Sequence, residues 1–68
     1  MKLSNEMKVG KAYLSEAVPI GNLGMELFLS VQKFPGINMT FTGQGLYIEY
    51  KDTTAFIPSS NLKGLVFL

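Results

Sequence analysis

The sequence predicts an all-β fold, a single small barrel of five or six short antiparallel strands with a 3₁₀ turn near the C-terminus. Three observations carry that prediction. Apolar and polar residues alternate with a period of two, not 3.6, through most of the chain. Turn-forming residues interrupt the alternation about every eight to twelve positions. The chain has 68 residues, enough for one hydrophobic core, so strands this short have to curl on one another to bury their apolar faces. Closing the sheet also hides strand edges that would otherwise invite aggregation.

Residues 1–68 therefore read as one domain, with 1–6 expected to be a flexible start. Met7 to Leu14 is weakly alternating and is read as a strand; a short helix over 5–11 competes with it but carries Gly10. Leu14 to Gly24 holds Ser15, Pro19, Gly21, Asn22 and Gly24 and is read as a long irregular loop. From Met25 the alternation is clear, with Met25, Leu27, Leu29 and Val31 on the inward face and Glu26, Ser30 and Gln32 on the outward one. Phe28 falls on the outward side, which suggests that this face is covered as well.

Pro35-Gly36 marks a turn, because proline fixes φ and glycine tolerates a positive one. Ile37, Met39 and Phe41 alternate with Asn38, Thr40 and Thr42, giving a strand over 37–42. Gly43-Gln44-Gly45 closes a hairpin to the next strand, where Leu46, Ile48 and Tyr50 alternate with Tyr47, Glu49 and Lys51. Asp52-Thr53-Thr54 is read as an Asx-type turn. Ala55-Phe56-Ile57 is a short strand stopped by Pro58, Ser59-Ser60-Asn61 suits one 3₁₀ turn, and Leu62 to Leu68 supplies the last strand.

Composition narrows the chemistry. The chain is 47% hydrophobic and 16% charged, against a usual charged share of about 25%. It contains no cysteine, histidine, arginine or tryptophan, which removes disulfides, thiolate and imidazole chemistry and guanidinium clamps. Catalytic residues, metal ligands and cofactors are therefore all expected to be none. The acids Glu6, Glu16, Glu26, Glu49 and Asp52 fall in no acid/base motif and read as solvated surface. The glycine pairs at 21/24 and 43/45 lack the lysine and helix of a phosphate loop. No serine has a histidine to activate it.

The net charge is +1, with Lys2, Lys8, Lys11, Lys33, Lys51 and Lys63 scattered among the acids. Such a distribution produces no long-range field that calls for a polyanion. No apolar run approaches the roughly 18 residues of a membrane-spanning helix, and no leader pattern opens the sequence. The expected setting is cytoplasmic, without membrane. A domain this small, lacking disulfides and metal, gains stability by self-association or by docking on a partner.

The segment Phe56-Ile57-Pro58-Ser59-Ser60-Asn61-Leu62 resembles the closing segment of Src-homology-3-like barrels, in which a strand ends in proline, a 3₁₀ turn follows and an aliphatic strand completes the barrel. It is also similar to the ending of many small phage-encoded proteins of Sm-like or Src-homology-3-like shape. The resemblance implies a small barrel and, if the chain is phage-encoded, residence in the host cytoplasm. It does not carry over polyproline binding: the chain lacks the tryptophan of that binding face and has only Glu16 in the corresponding loop.

The surplus of aromatics points to binding. Alternation assigns Phe41, Tyr50 and Phe67 to the core, and Met25 and Met39 to gap-filling inward positions. It points Phe28, Phe34 and Tyr47 outward. The first reading is a non-enzymatic interaction module, a phage or other mobile-element accessory protein that self-associates as a homo-oligomer, binds a host protein, or both, through Phe28, Phe34 and Tyr47. The second is a single-stranded nucleic-acid binder using Phe28 and Tyr47 for stacking, with Lys33 and Lys51 near phosphates. The third is a structural component of a virion.

Overall fold

A computed structural model describes residues 6–21 and 24–68. The expected flexible start over 1–6 lies outside them apart from Glu6, as do Asn22 and Leu23. Six antiparallel strands form one sheet: β1 (Met7–Pro19), β2 (Met25–Ser30), β3 (Asn38–Phe41), β4 (Gly45–Tyr50), β5 (Thr53–Pro58) and β6 (Leu62–Phe67). The 3₁₀ turn lies at Ser59–Asn61, between β5 and β6. The all-β fold is thus the one the alternation predicts.

The strand order is β2-β1-β3-β4-β5, with β6 paired to β1. β3, β4 and β5 form a meander, in which Phe41 pairs with Leu46 and Leu46 with Ile57. β1 ties this meander to the rest. Its first residues, Met7 and Lys8, pair with Phe41 and Thr40. Lys11, Ala12 and Tyr13 are paired on both edges, by β2 and by β6. Among the described residues, backbone ladders leave β2, β5 and β6 each with one paired edge.

The core follows from period-two burial. Val9, Ala12 and Leu14 of β1, Leu29 of β2, Met39 of β3, Leu46 and Ile48 of β4 and Ile57 of β5 are buried together. Ile20, Phe34 and Ile37 join them from the turns. Ile20 and Gly21, just beyond β1, are folded onto the rest of the molecule. Ile20 is fully buried, its N–H donates to Gly24 O at 3.0 Å, and Gly21 at φ +50° lies so close to Thr53 that a Cβ there would collide with it.

Several expectations are corrected. The segment read as a loop over 14–24 is strand as far as Pro19. Its alternation is broken because the register shifts between Tyr13 and Val18, which erases the period-two signal. Beyond Leu14, where the β1–β6 ladder ends at Leu62, a side chain takes its place: Asn61 Oδ1 accepts from Glu16 N–H at 2.8 Å, and Asn61 Nδ2 donates to Glu16 O at 3.1 Å. One amide thus satisfies both backbone groups of Glu16 and fastens the 3₁₀ turn to β1. The competing helix does not form, since residues 7–11 belong to β1.

The turn expected at 52–54 is displaced: Lys51 and Asp52 make the link and Thr53 and Thr54 belong to β5. Lys51 takes φ +56° in this two-residue connection, the left-handed conformation that tight hairpins require. Ser30, expected outward, is buried, and its Oγ accepts from Lys33 N–H at 2.9 Å, closing the turn that follows β2. Met25, expected inward, is exposed together with Leu27, because this part of β2 pairs with β1 beyond the register shift and outside the core. Phe67, expected in the core, is partly exposed. It lies on β6, paired with Val9 of β1, and the second edge of β6 is unpaired among the described residues.

Candidate functional site

The three aromatics singled out by sequence do not form one patch. Phe34 is only 8% exposed. It lies in the turn between β2 and β3, where strand parity gives no direction. The turn draws its ring inward against Tyr50, with centroids 5.7 Å apart and planes at 66°. Phe28 is half-buried and packs on Tyr13, its cross-strand partner, at 5.0 Å. Tyr47 is exposed and packs on Phe56, its own cross-strand partner, at 4.8 Å.

The Tyr47–Phe56 pair is the most accessible of these, at 50% and 45% exposure. Its geometry originates in Gly45. That residue has no side chain, and a Cβ there would run into the Phe56 ring and the Ile57 carbonyl. The ring therefore lies across the glycine on one side and meets Tyr47 on the other. This is a local solution to the bare patch a strand glycine leaves.

Beside Tyr47 runs a polar row across three strands. Lys8 Nζ donates to Asn38 Oδ1 at 2.9 Å, and Asn38 Nδ2 donates to Glu49 Oε1 at 3.5 Å. Asn38 and Glu49, with Tyr47, Thr40 and Thr54, line a shallow depression of about 330 Å³.

The lysines named for phosphate contact are occupied otherwise. Lys33 Nζ pairs with Glu26 at 3.0 Å and sits 5.3 Å from the Phe34 ring centroid and 6.0 Å from that of Phe28. Lys51 Nζ lies 5.3 Å from the Tyr50 centroid. Each cation is thus placed over an aromatic face, an arrangement that is favourable without an external anion. Lys33 follows β2, which β1 and β3 separate from the β4 of Tyr47 in the sheet order.

The apolar surface that sequence reasoning did not single out is larger than the part it did. Among the described residues, nine large hydrophobic side chains are between 40% and 79% exposed, and Met25, Leu27, Val66, Phe67 and Leu68 are five of them. The first two sit on β2 and the other three on or just beyond β6, the two strands that flank β1. The unbroken run Leu65-Val66-Phe67-Leu68 was the available signal, because a strand with two apolar faces needs a cover on both. A groove of about 360 Å³ lies along β6, lined by Phe41, Leu62, Leu65 and Phe67 together with Ser59, Gly64 and the charged Lys63.

No group of three or more carboxylates able to hold a metal ion occurs among the described residues, and no helix there is long and apolar enough to cross a membrane. No protein-family model matches the chain, and neither a curated protein nor a solved structure matches it.

Proposed function

We propose that the chain is a non-enzymatic binding module that works by covering apolar β-surface, through self-association, capture of a protein partner, or both. The observation that supports this reading is the set of nine exposed large hydrophobics among the described residues, five of which lie on β2 or at β6. Exposed apolar surface in excess of scattered single residues marks an interaction site. With only 16% charged residues, the chain has little else with which to recognise a partner.

The test is a comparison of wild type with a Tyr47→Ser/Phe56→Ser variant and a Val66→Lys variant, by light scattering and by affinity capture from a lysate. Self-association or a captured protein that is lost in one of the variants supports the reading. A wild-type chain that stays monomeric and captures nothing overturns it. Very large regular particles would instead favour the virion-component reading.

A second reading, single-stranded nucleic-acid binding, draws support from the Tyr47–Phe56 pair alone, two adjacent half-exposed rings of the kind on which bases stack. A fluorescence titration with an unstructured oligonucleotide at low salt tests it. Binding that weakens steeply with added salt is its signature, and no binding at micromolar protein overturns it.

A further inference from the structure

We infer that the outer face of the β3–β4–β5 meander binds the pyranose ring of a neutral saccharide, with Tyr47 as the stacking surface and Asn38 and Glu49 as the hydrogen-bonding groups. This ligand is separate from the proposed protein partner, although the exposed Tyr47–Phe56 pair serves both.

Strand register builds the site. Thr40 pairs with Tyr47 and Tyr47 with Phe56, while Asn38 pairs with Glu49 and Glu49 with Thr54. Residues two apart on a strand face the same way, so these six side chains form two parallel rows on the face opposite buried Met39, Ile48 and Ile57. One cell of that grid, bounded by Asn38, Thr40, Tyr47 and Glu49, measures about 5 Å across the strands and about 7 Å along them, the footprint of a single six-membered ring. All four residues line the depression of about 330 Å³. That volume is at the lower end of the range of about 300–1,000 Å³ usual for small-molecule sites.

The groups around this cell are held in place before any ligand arrives. Tyr47 is 50% exposed, and Phe56 packs on its ring with centroids 4.8 Å apart. Asn38 Oδ1 accepts from Lys8 Nζ at 2.9 Å, which turns Nδ2 toward Glu49 Oε1 at 3.5 Å. That second contact is at the long limit for a hydrogen bond. Both the amide N–H and the carboxylate oxygen therefore gain by bonding a ligand hydroxyl set between them. Thr40 and Thr54 add hydroxyls that donate and accept. Ordering such groups in advance lowers the entropic cost of binding.

The chemistry of the lining selects the ligand. A sugar ring carries hydroxyls at its rim, each able to accept from Asn38 and donate to Glu49, and a face of C–H groups to lie against Tyr47. A phosphorylated ligand is opposed, because the charged residues lining the depression are the acids Glu6 and Glu49 and the nearby Lys8 is bonded to Asn38. An organic cation would meet that same ammonium, which lies against both Asn38 and Thr40. An apolar surface would take water from Asn38 and Glu49 and return no hydrogen bond. The site is shallow and holds one ring, so the dissociation constant is expected to be millimolar.

Titration of the isotope-labelled full chain with glucose, galactose, mannose, N-acetylglucosamine, cellotriose and chitotriose, read by amide chemical shifts, tests the inference. Glycerol and adenosine are the comparison probes. At least one sugar is expected to give saturable shifts centred on residues 38–40, 47–49 and 54. Glu49→Ala should weaken that binding about tenfold, the loss expected for a hydrogen bond to a charged group. Tyr47→Ala should abolish it, and Tyr47→Phe, which keeps the ring, should retain it. Glu49 is exposed, so Glu49→Ala decides the matter if Tyr47→Ala fails to fold. No saturable shift with any of these sugars, shifts centred elsewhere, or binding indifferent to both alanine variants overturns the inference. Glycerol or adenosine saturating the same residues as tightly as the best sugar also overturns it, the latter in favour of base stacking.

Discussion

Replacing Asn61 by alanine should remove the clasp between the 3₁₀ turn and the irregular stretch of β1. The side chain makes two hydrogen bonds to one residue, accepting from Glu16 N–H at 2.8 Å and donating to Glu16 O at 3.1 Å. An intramolecular hydrogen bond contributes about 0.5–1.5 kcal/mol net. Both bonds are exposed, so water replaces them in part and the lower half of that range applies, giving about 1–2 kcal/mol for the pair. For a chain of this length total stability is about 3–10 kcal/mol, so the loss is a sizeable fraction.

Urea unfolding followed by circular dichroism would read it. With a slope near 1 kcal/mol/M for a small domain, the midpoint should fall by about 1–2 M. Native-state hydrogen exchange adds a local readout: the Glu16 amide should exchange faster while the amide of buried Ala12 keeps its protection relative to global stability. Asn61→Asp separates the two bonds. It keeps an acceptor for Glu16 N–H but sets a carboxylate against Glu16 O, so it should be no more stable than the alanine variant. An Asn61→Ala protein with the wild-type midpoint, or an Asp variant as stable as wild type, would refute the clasp.

Gly21→Ala should destabilise by about 2–4 kcal/mol, about 1–2 of it from the left-handed backbone and the rest from collision with Thr53. In a Thr53→Ala background the cost should fall toward the backbone contribution alone, which a double-mutant cycle in urea would show. Phe56→Ala should uncover Gly45 and remove the ring contact with Tyr47, lowering stability by about 1–2 kcal/mol. Gly45→Ala should instead displace the Phe56 ring, measurable as changed chemical shifts of Tyr47. Lys33→Ala should cost about 1 kcal/mol, since the Lys33 side chain is 47% exposed although that of its partner Glu26 is only 16% exposed, whereas Leu29→Ala, at a fully buried position near the end of β2, should cost about 2–5 kcal/mol. Thermal melts would rank the two.

Where alternation is unbroken, the sequence was sufficient. Met39, Leu46, Ile48 and Ile57 are buried and Tyr47 and Glu49 are exposed, as period two requires. The 3₁₀ turn at Ser59–Asn61 was legible because Pro58 stops a strand and Ser-Ser-Asn cannot prolong it. Where the chain departs from a regular ladder, alternation misleads. The register shift after Tyr13 hid the second half of β1, and the clasp that compensates for it involves Asn61, 45 positions away. Phe34 was assigned by parity although it lies in a turn. Met25 and Phe67 were assigned inward and are exposed, because the apolar side of a strand is a buried side only where another element reaches it. Phe56 escaped notice because its direction is set by a missing side chain on the neighbouring strand, at Gly45.

The arrangement around β1 also constrains how the chain acquires its shape. Val9 meets Phe67 and Lys11 meets Val66, so the earlier residue of each pair must wait for the later one. Closing so long a loop costs entropy before any contact rewards it. A β-protein built on such distant pairings folds in milliseconds to seconds, not microseconds. During synthesis the β3–β4–β5 meander can assemble from local turns while β1 has β2 beside it and meets β3 only at Met7 and Lys8. Until β6 emerges, the edge of β1 stands bare, and the nascent polypeptide is most vulnerable to misassembly in that interval.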